Sequence, residues 1–114
     1  MNNYGKAITQ AVADDLLKEM VQRILTVGKP QKVVLFGSRA HGNAQPDSDY
    51  DLLVIEPSKL PRYKRATKYR RALIGIGRAK DIVVWTPSEV AEWRSVPNAF
   101  ITTILDEGIV LYEG

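Results

Sequence analysis

The chain of 114 residues contains no cysteine. That excludes disulfides and thiolate metal centres, and it fits a reducing cytoplasm. It contains one histidine, His41, which excludes a multi-histidine zinc site. A metal here would be held through oxygen, and Mg²⁺ or Mn²⁺ is the natural ion for such donors. No apolar run approaches the ~18 residues of a membrane span, and the N-terminus lacks the apolar core of a signal peptide, so no membrane partner is expected. Aromatic residues make up 8% of the chain, and no exposed aromatic platform for stacking single-stranded RNA is evident. A last absence is local. Residues 59–80 hold nine basic side chains (Lys59, Arg62, Lys64, Arg65, Lys68, Arg70, Arg71, Arg78, Lys80) and no acid. The other 7 basic residues face 13 acids, a balance of −6 beneath a net charge of +3. One segment carries the basic character, not the whole surface.

What is present suffices for a core. Hydrophobic residues make up 45% of the chain, and its length is near the ~100–150 residues of one domain. A single domain over 1–114 is expected. Ile8, Val12, Leu16, Met20 and Ile24 recur at fours, with Leu17, Val21 and Leu25 widening the stripe. This predicts an amphipathic helix over 6–27, stopped by Gly28 and Pro30. Strands are predicted over 32–36 and 49–55, and the unbroken apolar run 52–55 implies that both faces are covered there. The loop 37–48 between them opens with a helical turn at 38–41. Residues 59–76 read as a helix with Tyr63, Ala66, Tyr69, Leu73 and Ile76 on one face, loosened at its end by Gly75 and Gly77. A third strand covers 81–85. Thr86-Pro87-Ser88-Glu89 is a capping box with proline at the first helical position. A further helix is predicted over 97–107, closed by Gly108, and a last strand over 109–112. Strands interleaved with helices give an α/β (α+β) fold with a small mixed sheet.

Residues 34–55, VLFGSRAHGNAQPDSDYDLLVI, are the most informative stretch. An apolar strand runs into Gly37-Ser38, and Ser48-Asp49-Tyr50-Asp51 opens the next. Alternate strand residues share a face, so Asp49 and Asp51 project the same way with Cα atoms ~6.5–7 Å apart. Two carboxylates at that spacing suit one hard divalent cation or a pair. The Gly-Ser turn offers backbone N–H groups and a hydroxyl to a triphosphate. Two familiar motifs fail. The stretch from Gly37 to Gly42 begins like a P-loop, but Asn43 and Ala44 stand where Lys and Ser/Thr are required. Asp47, Asp49 and Asp51 begin like a calcium loop, but Leu52 and Ser58 stand where Gly and Glu are required.

The combination of Gly-Ser after one strand and Asp-x-Asp on the next resembles the polymerase-β-like nucleotidyltransferase superfamily. More narrowly, Gly37, Ser38, Arg39, Ala40, Gly42, then Ser48, Asp49, Asp51 and Leu52 resemble the minimal nucleotidyltransferases, with G-S-R-A-x-G and S-D-x-D-L. His41 fills a place where such proteins often carry Arg. The likeness extends downstream over most of the chain. It implies the minimal nucleotidyltransferase core as the fold. It also implies a third acid at the head of a later strand, which Asp81 matches. Asp81 is out of place for packing alone, since it begins a β-branched strand.

The resemblance further implies Mg²⁺ or Mn²⁺, most simply two ions ~4 Å apart, held by Asp49, Asp51 and Asp81. Gly37, Ser38 and Arg39 would bind the nucleotide, Asp81 would take the acceptor's proton, and pyrophosphate would leave. ATP is the expected substrate. Minimal nucleotidyltransferases are commonly antitoxins paired with a HEPN-domain ribonuclease toxin, onto whose tyrosine they transfer AMP. Two other readings stand beside this one: an antitoxin that acts by binding alone, and a small RNA-binding module. For the basic segment three uses are open, a solvated helix face, a hold on the triphosphate tail or an acidic partner, and RNA contact. The −6 balance elsewhere speaks against direct nucleic-acid binding.

Overall fold

The computed structural model describes residues 15–42, 49–76 and 80–114. Helix α1 spans Asp15–Val27 and buries Leu17, Met20, Val21 and Ile24, the stripe expected from the fourfold spacing. The expected start of that helix, residues 6–14 with Ile8 and Val12, lies outside the described residues. Strand β1 is Lys32–Phe36 and β2 is Tyr50–Ile55. Two short helices follow, α2 (Arg62–Arg65) and α3 (Thr67–Ala72), then β3 (Lys80–Trp85), α4 (Pro87–Trp93), α5 (Phe100–Glu107) and β4 (Ile109–Glu113).

The four strands form one mixed sheet in the order β3-β2-β1-β4. β1 pairs antiparallel with both β2 and β4, while β2 and β3 run parallel. The parallel pair requires a crossover, which α2 and α3 supply. Side chains then divide by alternation. Val33, Leu35, Leu52, Val54, Ile82 and Val84 meet α1 and the buried Tyr69 and Leu73 on one face. Val34, Leu53, Ile55 and Trp85 meet Ile101 and Ile104 of α5 on the other. This two-sided cover explains why residues 52–55 are all apolar and all buried.

Several boundaries differ from expectation. The helix read over 59–76 is two helices broken at Ala66. It starts only after Pro61, whose extended backbone (ψ 151°) excludes Lys59 and Leu60 from the first turn. Gly75, with φ +93°, ends the helical path. The helix read over 97–107 begins at Phe100, because Asn98 sits in the left-handed region (φ 61°) and Ala99 is extended. The Thr102 hydroxyl fastens that turn, lying 3.1 Å from Trp93 O, 3.1 Å from Arg94 O and 2.9 Å from Val96 O. The capping box is as read: Thr86 Oγ1 accepts from Glu89 N (3.2 Å) and Glu89 Oε1 accepts from Thr86 N (2.9 Å).

One feature was not foreseen. Glu56, one residue past β2, is buried, where it accepts from the Tyr69 hydroxyl and, at 2.9 Å, from Lys68 Nζ. Among the described residues no buried side-chain polar atom lacks a partner, and no helix is long and apolar enough to cross a membrane.

Candidate active site

The sheet register brings Phe36, Asp51 and Asp81 abreast: Phe36 pairs with Asp51 across β1 and β2, and Asp51 with Asp81 across β2 and β3. By alternation all three project from the face that α5 covers. They lie one pleat beyond the apolar level of Val34, Leu53 and Val83. Parallel strands start at the same end, so the parallel pairing of β2 and β3 sets the two aspartates side by side on strands ~4.8 Å apart. Asp49 stands just ahead of β2, exposed, and not within it as the sequence suggested; β1 ends at Phe36, opposite Asp51, so the ladder has nothing to pair with Asp49. Ser48 lies outside the described residues.

The carboxylates feel one another. Partial burial of Asp51 pushes its pKa above the ordinary 3.8, and the negative charges of Asp81 and Asp49 push it further. Among the described residues no three His, Asp or Glu side chains are gathered into a ready-made metal-holding group. The donor set nonetheless suits a hard cation. Its atoms are all carboxylate oxygens, and a positive ion would relieve the repulsion that raises Asp51.

The turn after β1 completes the site. Gly37 has φ +79°, open to glycine and strained for other residues. Ala40 N donates to Gly37 O (3.0 Å) and His41 N to Ser38 O (3.2 Å), which gives the expected helical turn over 38–41. A Cβ on Gly37 would overlap the Asp51 carboxylate. The glycine therefore makes room for Asp51, a role that its place in the motif did not reveal. Arg39, expected at the nucleotide, lies over the Tyr50 ring, 3.9 Å from its centroid. Tyr50 packs in the α1 core, so this contact is directed to the face opposite Asp51.

Sequence reading missed the wall beside the acids. Phe100 of α5 meets Phe36 edge-to-face with centroids 5.8 Å apart, and it also lies 6.4 Å from Trp85. Between Phe36, Gly37, His41, Phe100 and Glu107 is a cavity of about 220 Å³. Only the strand spacing of Phe36 hinted at this, because Phe100 lies 64 residues away in sequence. The sequence made no exposed aromatic platform evident, and three aromatics are nonetheless exposed singly. Tyr63 of α2, Trp93 of α4 and Phe100 of α5 are exposed. A larger cavity of about 620 Å³ opens at the far end of the sheet, between Gln31, Ile55, Val90 and Arg94. It is remote from the aspartates, so size does not mark the site here.

A small four-stranded mixed sheet packed with helices is the frame of a nucleotidyltransferase domain. Residues 18–114 match the family described as "Polymerase beta, Nucleotidyltransferase", and the chain belongs to that family. It is similar to a crystal structure of a toxin–antitoxin with AMP-PNP, at TM-score 0.62 and 20% identity, over 84% of this chain and 72% of that one. It is also similar, at TM-score 0.49 and 18% identity, to the crystal structure of "a putative nucleotidyltransferase from Sulfolobus solfataricus", over 74% of this chain and 85% of that one. At 20% identity the toxin–antitoxin structure speaks to the fold alone. No curated protein sequence matches the chain at a significant level.

Proposed function

We propose that this protein is a Mg²⁺-dependent nucleotidyltransferase that moves AMP from ATP to a protein hydroxyl, and that it is the antitoxin of a pair whose toxin is a HEPN-type ribonuclease. The observation that carries the chemistry is the register Phe36–Asp51–Asp81, with the Gly37 turn at its head. The toxin-antitoxin role is supported by the likeness to a toxin–antitoxin structure that contains an ATP analogue.

In this reading Asp49, Asp51 and Asp81 hold Mg²⁺, which when bound offsets triphosphate charge and acidifies the acceptor hydroxyl. Gly37 and Ser38 receive the phosphate tail. Asp81, exposed at the strand head, takes the acceptor's proton as its oxygen attacks the α-phosphorus in line and pyrophosphate leaves. Phe36 and Phe100 close one side against water. Positioning and electrostatics thus do most of the work. The chain acts as a single domain in the cytoplasm.

The test is incubation with labelled ATP, Mg²⁺ and a HEPN-type toxin, followed by mass analysis of the toxin. The expected result is one AMP added to a tyrosine, absent without Mg²⁺ and absent with Asp51→Asn. A stable complex without transfer would replace this reading with an antitoxin that acts by binding alone.

A further inference from the structure

The basic segment divides into two populations with different partners. Arg65 and Arg62 turn inward to Glu89, with Nη1–Oε1 at 2.7 Å and Nη2–Oε2 at 3.3 Å, and Lys68 turns to the buried Glu56. These three cations brace α2 and α3 against the rest of the molecule. Lys59, Lys64, Arg70 and Arg71 are exposed and pair with no carboxylate among the described residues.

The unpaired cations share their face with apolar side chains that burial does not explain. Leu60 is 52% exposed, Tyr63 76% and Ile74 73%. Tyr63 and Lys64 of α2, Thr67, Arg70 and Arg71 of α3, and the flanking Leu60 and Ile74 are all exposed. The opposite face, Ala66, Tyr69 and Leu73, is in the core.

Cations alone would suit any anion. Here large aliphatic groups stand among them, offering nothing to a phosphate but much to a protein surface. The rest of the chain, at −6, would also repel a long polyanion. We propose that this outer face of α2 and α3, built from Leu60, Tyr63, Lys64, Arg70, Arg71 and Ile74, is a docking surface for an acidic protein partner that presents apolar side chains between its carboxylates. The surface lies along α2 and α3, which pack on the side of the sheet that Ile82 and Val84 face, whereas Asp81 projects from the other side.

Fluorescence anisotropy tests this without any nucleotidyl transfer. The probes are a synthetic amphipathic helical peptide of Glu and Leu, its Gln counterpart and a polyuridylate oligomer. The Glu peptide should bind at least about tenfold more tightly than the Gln peptide. Arg70→Glu with Arg71→Glu should weaken it by about tenfold or more, and Tyr63→Ala with Ile74→Ala by several-fold. Melting temperatures should be unchanged, since all four side chains are exposed. Preference for polyuridylate with a steep salt dependence would overturn the proposal in favour of nucleic acid. Binding to none of the probes, or binding that neither double variant alters, would overturn it outright.

Discussion

A Cβ placed on Gly37 would overlap Oδ2 of Asp51 and stand 3.2 Å from its Cγ. The glycine at the end of β1 and the aspartate of β2 therefore occupy one space, and the carboxylate sits where it does because the turn has no side chain.

Gly37→Ala should accordingly act in two ways. The left-handed φ of +79° costs a residue with a Cβ about 1–2 kcal/mol of stability. The displaced Asp51 should cost metal-dependent nucleotide affinity and transfer. Chemical denaturation and ATP titration with Mg²⁺ measure the two separately. Unchanged affinity would leave the turn without a part in binding.

Asp51→Asn should lower transfer by about 10³-fold or more, the scale of a lost metal ligand. In the absence of metal its stability should hold or rise at neutral pH. The sign follows from Asp51's raised pKa. An acid whose folded pKa exceeds its ordinary value opposes folding when ionised, and this penalty disappears as pH falls through the folded pKa and below 3.8. Melting curves of wild type and variant at neutral pH and at pH below 3.8 check it: the variant's advantage should shrink in acid.

Glu89 has the opposite sign. Hydrogen bonding to Arg65, with further help from Thr86 N and Arg62, holds its carboxyl near 2, below the ordinary 4.5. The stability this contributes is complete above 4.5 and is lost as pH falls from there towards about 2. Because solvent reaches the pair, the contribution is about 1 kcal/mol. Glu89→Gln keeps a capping-box residue but removes the charge, so it should melt earlier at pH 7 and match wild type near pH 2.

Tyr69→Phe removes the hydroxyl that meets Glu56 and leaves a buried carboxylate with Lys68 alone. The expected loss is about 1–3 kcal/mol in urea denaturation. Transfer should survive wherever the protein is folded, because Glu56 lies at the opposite end of β2 from Asp51.

Local signals were legible in the sequence where one stretch of chain determines the outcome. Lys32–Phe36, the Thr86 capping box and the described part of the α1 stripe depend on residues close in sequence, and each forms there as read. The adjacency of Asp51 and Asp81 followed from the family resemblance, whereas its physical basis is the parallel register across a crossover. Long-range partnerships were not legible. Glu56 gave no local signal of its burial, since its partner Tyr69 is 13 residues on. Phe100 gave no local signal, since its partners Phe36 and Trp85 are distant in sequence. Asn98 resembled a helical residue until its positive φ moved the start of α5 to Phe100.

The pairing of β4 with β1 also bears on the order of events during synthesis. Lys32 is paired with Glu113, so an interior strand waits for a neighbour made some eighty residues later. The ribosome delivers β1, β2 and β3, and with them Asp51 and Asp81, while one side of β1 is still an open edge. Until β4 arrives, the nascent chain carries its acidic trio on a sheet that can still recruit a foreign strand. Any shortening of the chain before residue 109 would make that temporary hazard permanent, and aggregation during expression would appear before any loss of chemistry.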